Sequence, residues 1–212
     1  MNKLAAVFMV FCSLFCLSIM PVQSADTGRK TKYTDKEIAL RTSFEKLVSQ
    51  CLTRQRMLSA IIIYGPGDPA KPQAQLTETL DSIGSIFKTY YGEQNGGPIT
   101  ALFKQYIQLS VDYTNTVKVH GDTAALTNTM HSKADQIAGL LNSGKKAKKN
   151  ARLAGLLKKY SDSVIAEIDM QGAGNRMPDS AAYGASFSAG MEMADALATR
   201  IVRQNPEQFK QE

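Results

Sequence analysis

The chain has 212 residues, 43% of them apolar, and a formal charge of +6 from 25 Lys and Arg against 19 Asp and Glu. The apolar share excludes an intrinsically disordered chain, and so mild a charge argues against nucleic acid as the partner. Two of the three cysteines, Cys12 and Cys16, lie in the first 25 residues, so a chain shortened by that stretch keeps only Cys51 and has no disulfide framework.

In chain order, Met1-Asn2-Lys3 is a basic start, residues 4–19 form an apolar run, and residues 21–25 offer small side chains to a peptidase. This is the pattern of a cleaved secretory signal spanning residues 1–25. The run is shorter than the roughly 20 residues of a spanning helix. Bulky Phe11 and Phe15 before Cys12 and Cys16 do not suit a lipid anchor. No second apolar segment of membrane length follows, so no transmembrane segment is expected after signal cleavage. The expected location is the periplasm, or the medium. Residues 26–33 read as a flexible lead-in and residues 34–212 as a single helical domain.

Thr34 and Glu37 have the spacing of a capping box and open the first helix. That helix carries Phe44, Leu47, Val48, Cys51, Leu52, Leu58 and Ile61 inward until Gly65-Pro66-Gly67. A second helix is predicted over 72–91. After a break at 92–98, a third sets Ile99, Leu102, Phe103, Tyr106, Tyr113 and Val117 on one side. His120-Gly121-Asp122 is a turn, and a fourth helix runs from there to Asn142. The fifth, over 150–170, shows the clearest period, with Leu153, Leu156, Leu157, Tyr160, Val164 and Ile168 on one face. A glycine-rich loop over 171–179, the least constrained segment, leads to a sixth helix closing near Gln204. No segment alternates with the period of a strand, so the fold class is all-α with about six helices.

Three segments align without gaps: 80–87, 134–141 and 194–201, each reading apolar, Asp, any, Ile or Leu, small, any, any, apolar. Their aspartates, Asp81, Asp135 and Asp195, are 54 and 60 positions apart. The preceding helices repeat as well, because Leu47, Leu102 and Leu156 are 55 and 54 apart, each followed four residues later by Cys51, Tyr106 or Tyr160. The pattern predicts three antiparallel helical hairpins of about 55 residues, each too small to bury its apolar face alone. They close about a pseudo-threefold axis or stack in a short row. The small residue three places after each aspartate, Gly84, Ala138 or Ala198, admits a close neighbour. The aspartates have two readings: a shared carboxylate site for a metal or for acid and base work, or one structural pairing repeated in every hairpin, with Arg56 a candidate partner. Threefold repetition favours the structural reading.

Arg56, Tyr90-Tyr91-Gly92, residues 134–138, Met193-Ala194-Asp195 and residues 201–209 together resemble a family of short helical bacterial proteins of unknown function. Some of its members carry the labels glycosyltransferase or acetylglutamate kinase. The resemblance implies a histidine one turn into the first helix of each pair, often near a Trp. Here those places hold Cys51, Tyr106 and Tyr160, and the chain has no Trp. The residues supply no phosphate-binding glycine loop after a strand and no Asp-x-Asp for a nucleotide sugar.

Lys145, Lys146, Lys148, Lys149 and Arg152 form the only dense basic patch and read as a solvated loop, with contact to anionic lipid, wall polymer or an acidic partner as the second reading. His120 and His131 are too few and too far apart for zinc. Cys51 sits in an apolar register that marks an inert core thiol. Ser180, Ser186 and Ser188 lack a nucleophile elbow. Met177, Met191 and Met193 with Tyr183 and Phe187 read as core filling rather than a soft binding face. The expectation is therefore an exported, non-catalytic helical envelope protein that binds or supports an envelope protein, a polymer or a small ligand, without metal or cofactor. The alternative is a transferase-type enzyme in which Arg56, Asp81, Asp135, Asp195, Tyr106 and Tyr160 share a cleft.

Overall fold

A computed structural model of the chain describes residues 33–65, 67–142, 151–174 and 180–210. The predicted signal, most of the lead-in and the lysines of the basic patch lie outside them. Among the described residues all regular structure is helical: α1 Asp35–Tyr64, α2 Ala70–Lys118, α3 Ala124–Asn142, α4 Ala151–Gly172, α5 Ser180–Gln204 and a short 3-10 turn Pro206–Phe209. None of these helices is long and apolar enough to cross a membrane.

The first helix starts as its sequence dictates. Thr34 Oγ1 accepts from the Glu37 amide at 3.2 Å, and the Glu37 carboxylate accepts from the Thr34 amide at 3.0 Å. At its end Gly65 takes φ 81°, and its amide reaches back to Ile61 O. The face between these caps buries Leu40, Phe44, Val48, Cys51, Leu52 and Leu58, while Leu47 and Ile61 are half-buried.

The helix count differs from the expected six. Instead of a seven-residue break at 92–98, α2 continues through Pro98 and is interrupted only at Gly92, which has φ 73° and ψ 166°. Asn95 explains how so short a break suffices: its side-chain amide donates to Tyr91 O at 3.2 Å and satisfies a carbonyl at the break. The two arms of α2 then fold back on each other. Phe87 stacks on Phe103 with centroids 5.5 Å apart. A Cβ on Gly84 would lie 2.4 Å from Thr100 Cγ2, and one on Gly96 would lie 2.6 Å from the Lys88 backbone. Two predicted helices are thus one sharply bent element.

Around this bend the elements pack in sequence, α1 on α2, α2 on α3, α3 on α4 and α4 on α5, and α5 returns to α1. The return contact is close, since a Cβ on Gly190 in α5 would lie 2.7 Å from Leu52 Cδ1 in α1. Such a circuit leaves every helix two neighbours for its apolar stripe, which single hairpins of this size lack. Phe209, in the final 3-10 turn that the sequence did not announce, is buried and stacks on Tyr90 at 5.5 Å.

Candidate functional site

Each repeated aspartate has its own cation. Asp81 pairs with Lys104 at 2.5 Å, Asp135 with Lys158 at 2.8 Å, and Asp195 with Arg41. The first pair joins the two arms of α2, the second joins α3 to α4, and the third joins α5 back to α1. The three carboxylates are between 54% and 58% exposed, so they sit on the rim of the helix circuit rather than in a common interior. No cavity among those described holds two of them. Arg56, the sequence's candidate partner for one aspartate, pairs elsewhere. Lys104 and Lys158 were findable, because both follow the repeated Leu102 and Leu156 by two. Arg41 was not, because the matching place after Leu47 is Ser49.

The other repeated position does converge. Cys51, Tyr106 and Tyr160 are all buried, the two tyrosine rings lie 6.1 Å apart, and the thiol and the Tyr106 phenol both bear electrostatically on Tyr160. Tyr106 Oη donates to Ser161 Oγ at 2.8 Å and Tyr160 Oη to Gln55 Oε1 at 3.3 Å. Burial pushes the Cys51 thiol up to about 12, against the opposing charge of Arg54. It raises Tyr106 too, chiefly by desolvation, with the Ser161 hydrogen bond opposing and the Asp162 charge assisting. Tyr160 is raised first by burial and then by Tyr106, Cys51 and Glu167. All three groups are protonated at neutral pH, which suits a packed core and gives neither thiolate nor phenolate for nucleophilic work.

Beside this core, Arg56 Nε pairs with Glu167 Oε1 at 3.1 Å, the other carboxylate oxygen accepts from Ser186 Oγ at 2.9 Å, and the guanidinium lies 4.4 Å above the Tyr183 ring. Glu167 occupies the apolar face between Val164 and Ile168, a helical-spacing signal of a buried ion pair that the sequence reading passed over. The cavity here, lined by Leu52, Gln55, Arg56, Ser59 and Glu167 among others, measures about 10 Å³. That is room for about one water molecule and not for a substrate. The set that the transferase alternative requires in one cleft therefore separates into rim pairs, a tyrosine core and the Arg56–Glu167 pair.

The remaining candidates are similarly dispersed. His131 Nε2 lies 2.6 Å from Asp162 Oδ1, whereas His120 sits at φ 55° in an exposed turn, so the two histidines serve different places. Among the described residues no three His, Cys, Asp or Glu side chains are grouped to hold a metal ion. Ser186 serves Glu167, Met193 is buried, and Phe187 is 36% exposed against Tyr183. Met177 and residues 175–179 of the predicted loop fall outside the described residues, while Gln171 and Gly172 complete α4. Of the basic patch only Arg152 is described, exposed in the first turn of α4. It shares a cavity of about 80 Å³ with Asp195, Thr199, Arg200 and Arg203.

Comparison of the chain with protein-family models, curated proteins and solved structures returns no match.

Proposed function

We propose that this chain is an exported, non-catalytic helical protein of the bacterial envelope, most simply of the periplasm, that binds or supports a partner or small ligand. Its scaffold in this reading is three repeated hairpins closed about a pseudo-threefold axis, with the two arms of α2 serving as halves of different hairpins. The observation that carries the reading is the separate neutralisation of Asp81, Asp135 and Asp195. Each carboxylate ties its helix to the next, and the last tie returns to α1. Convergence of Cys51, Tyr106 and Tyr160 supports the same axis, since the equivalent positions of the first and third repeats meet only when the repeats close on themselves. A transferase would need those aspartates on one open cleft with Arg56, an arrangement that separate rim pairs do not favour. By resemblance, the histidine positions of the family correspond to this buried tyrosine core, so a histidine site is not expected here.

Export is supported by the basic start, apolar run and small-residue exit of residues 1–25. Its test is expression of the full chain in a Gram-negative host, followed by fractionation and intact-mass measurement. A periplasmic product beginning after Ala25 is expected. A full-length product retained in the cytoplasm contradicts the proposal.

A further inference from the structure

Arg200 is only 7% exposed. Its Nε donates to Leu141 O at 3.0 Å, its Nη2 is buried without a hydrogen-bond partner, and no carboxylate among the described residues forms an ion pair with it. Arginine does not shed its charge as a buried lysine does, so a guanidinium removed from water without a counter-charge is unfavourable. Arg200 also lines the cavity of about 80 Å³ that carries Arg152, Arg203, Thr199 and Asp195. Arg203 follows it by three positions on α5, which brings the two side chains to the same side of the helix. Arg152 comes from the first turn of α4, where the helix dipole adds to the positive field. Asp195 is the one acid on this wall, and its carboxylate is already engaged by Arg41, whose Nη2 also donates to Thr199 Oγ1 at 3.0 Å. Neither Arg152 nor Arg203 forms an ion pair among the described residues, so the cleft holds three arginines in surplus.

We infer that this cleft binds a phosphate group. A tetrahedral oxyanion offers several acceptors to several guanidinium forks at once, the pairing in which arginine is strongest. The space is several times the roughly 10–15 Å³ that one water needs, so it admits an anionic head while exposed Arg152 and Arg203 leave the rest of the molecule outside. Free phosphate, a phosphomonoester and a lipid headgroup present the same chemistry here. The inference deepens the binding role proposed above by naming the ligand class. Export is read by fractionation and phosphate binding by titration, so either fails without the other.

The test is calorimetric titration of the full chain with sodium phosphate and with glycerol 3-phosphate at fixed ionic strength. Flotation with phosphatidylglycerol and phosphatidylcholine vesicles runs beside it. Saturable binding of the small phosphates assigns a free or ester source, whereas binding to phosphatidylglycerol vesicles alone assigns a lipid source, and both uphold the site. Arg152→Ala and Arg203→Ala, at exposed positions, are expected to weaken the binding at least tenfold each. Arg200→Lys, which keeps the charge and loses the fork, is expected to weaken it as well. If Arg200→Lys fails to fold, the two exposed variants decide. Absence of saturable binding to any of the probes, or equal binding by wild type and the two exposed variants, overturns the proposal.

Discussion

Gly96 and Gly97 are neighbours in the sequence and opposites in the fold. A Cβ on Gly96 would lie 2.6 Å from the backbone of Lys88, whereas one on Gly97 would meet nothing within 4 Å. Gly96→Ala should therefore destabilise the protein by about 1–3 kcal/mol through overpacking. Gly97→Ala should cost less, since that side faces no packed neighbour and only the strain of a helical Cβ directly before Pro98 opposes it. Urea denaturation of the two variants ranks the two losses. Sequence alone offers Gly96-Gly97-Pro98 as a loop, since it carries the breakers but not the neighbouring arm that requires one of them. Cys51 shows the reverse case: its apolar register with Val48 and Leu52 already marks it as buried, and it is.

At the scale of elements, helix starts and stops were legible where they depend on local chemistry. The Thr34–Glu37 box, the Gly65 stop and the end of α5 at Gln204 fall where the residues put them. The place of the bend in α2 was legible at Gly92 but its shortness was not, because the rescue of Tyr91 O by Asn95 is a side-chain event that no periodicity reports. Gly92 holds a backbone conformation open essentially to glycine alone, so Gly92→Ala should cost about 1–3 kcal/mol in the same denaturation experiment. The rim ties are weaker. Asp81→Asn and Asp135→Asn each remove one exposed ion pair and should cost about 0.2–1 kcal/mol at low salt, with the loss fading at high salt. A larger, salt-independent loss would show that these carboxylates do more than tie helices together.

For the whole molecule, the repeat was legible as a period but not as a closure. Spacings of 54, 55 and 60 residues fit a row of hairpins as well as a ring, and contacts of α1 with α5, such as the Arg41–Asp195 pair and the Gly190–Leu52 approach, are what a ring requires. The buried centre sets the response to pH. The Cys51 thiol is raised from 9.0 to about 12 and the Tyr91 phenol from 10.0 to about 12, both by burial and against nearby arginines, and Tyr106 and Tyr160 are raised in the same direction. The unfolded chain gives up these protons first, so stability from these groups is complete below about pH 9 and falls as pH climbs to about 12. Thermal melts across that window, followed by tyrosinate absorbance, should show the buried phenols ionising together with unfolding rather than before it.

The ring reading of the aspartates, and with it the supporting role proposed for the chain, depends on α5 meeting α1. Nuclear Overhauser contacts between the Gly190 α-protons and the methyl groups of Leu52 and Val48 test this directly, because a Cβ on Gly190 would lie 2.7 Å from Leu52 Cδ1 and 3.2 Å from Val48 Cγ1. Strong cross-peaks are predicted for a closed circuit. Their absence from a fully assigned, folded protein would contradict it and leave a row of hairpins in its place.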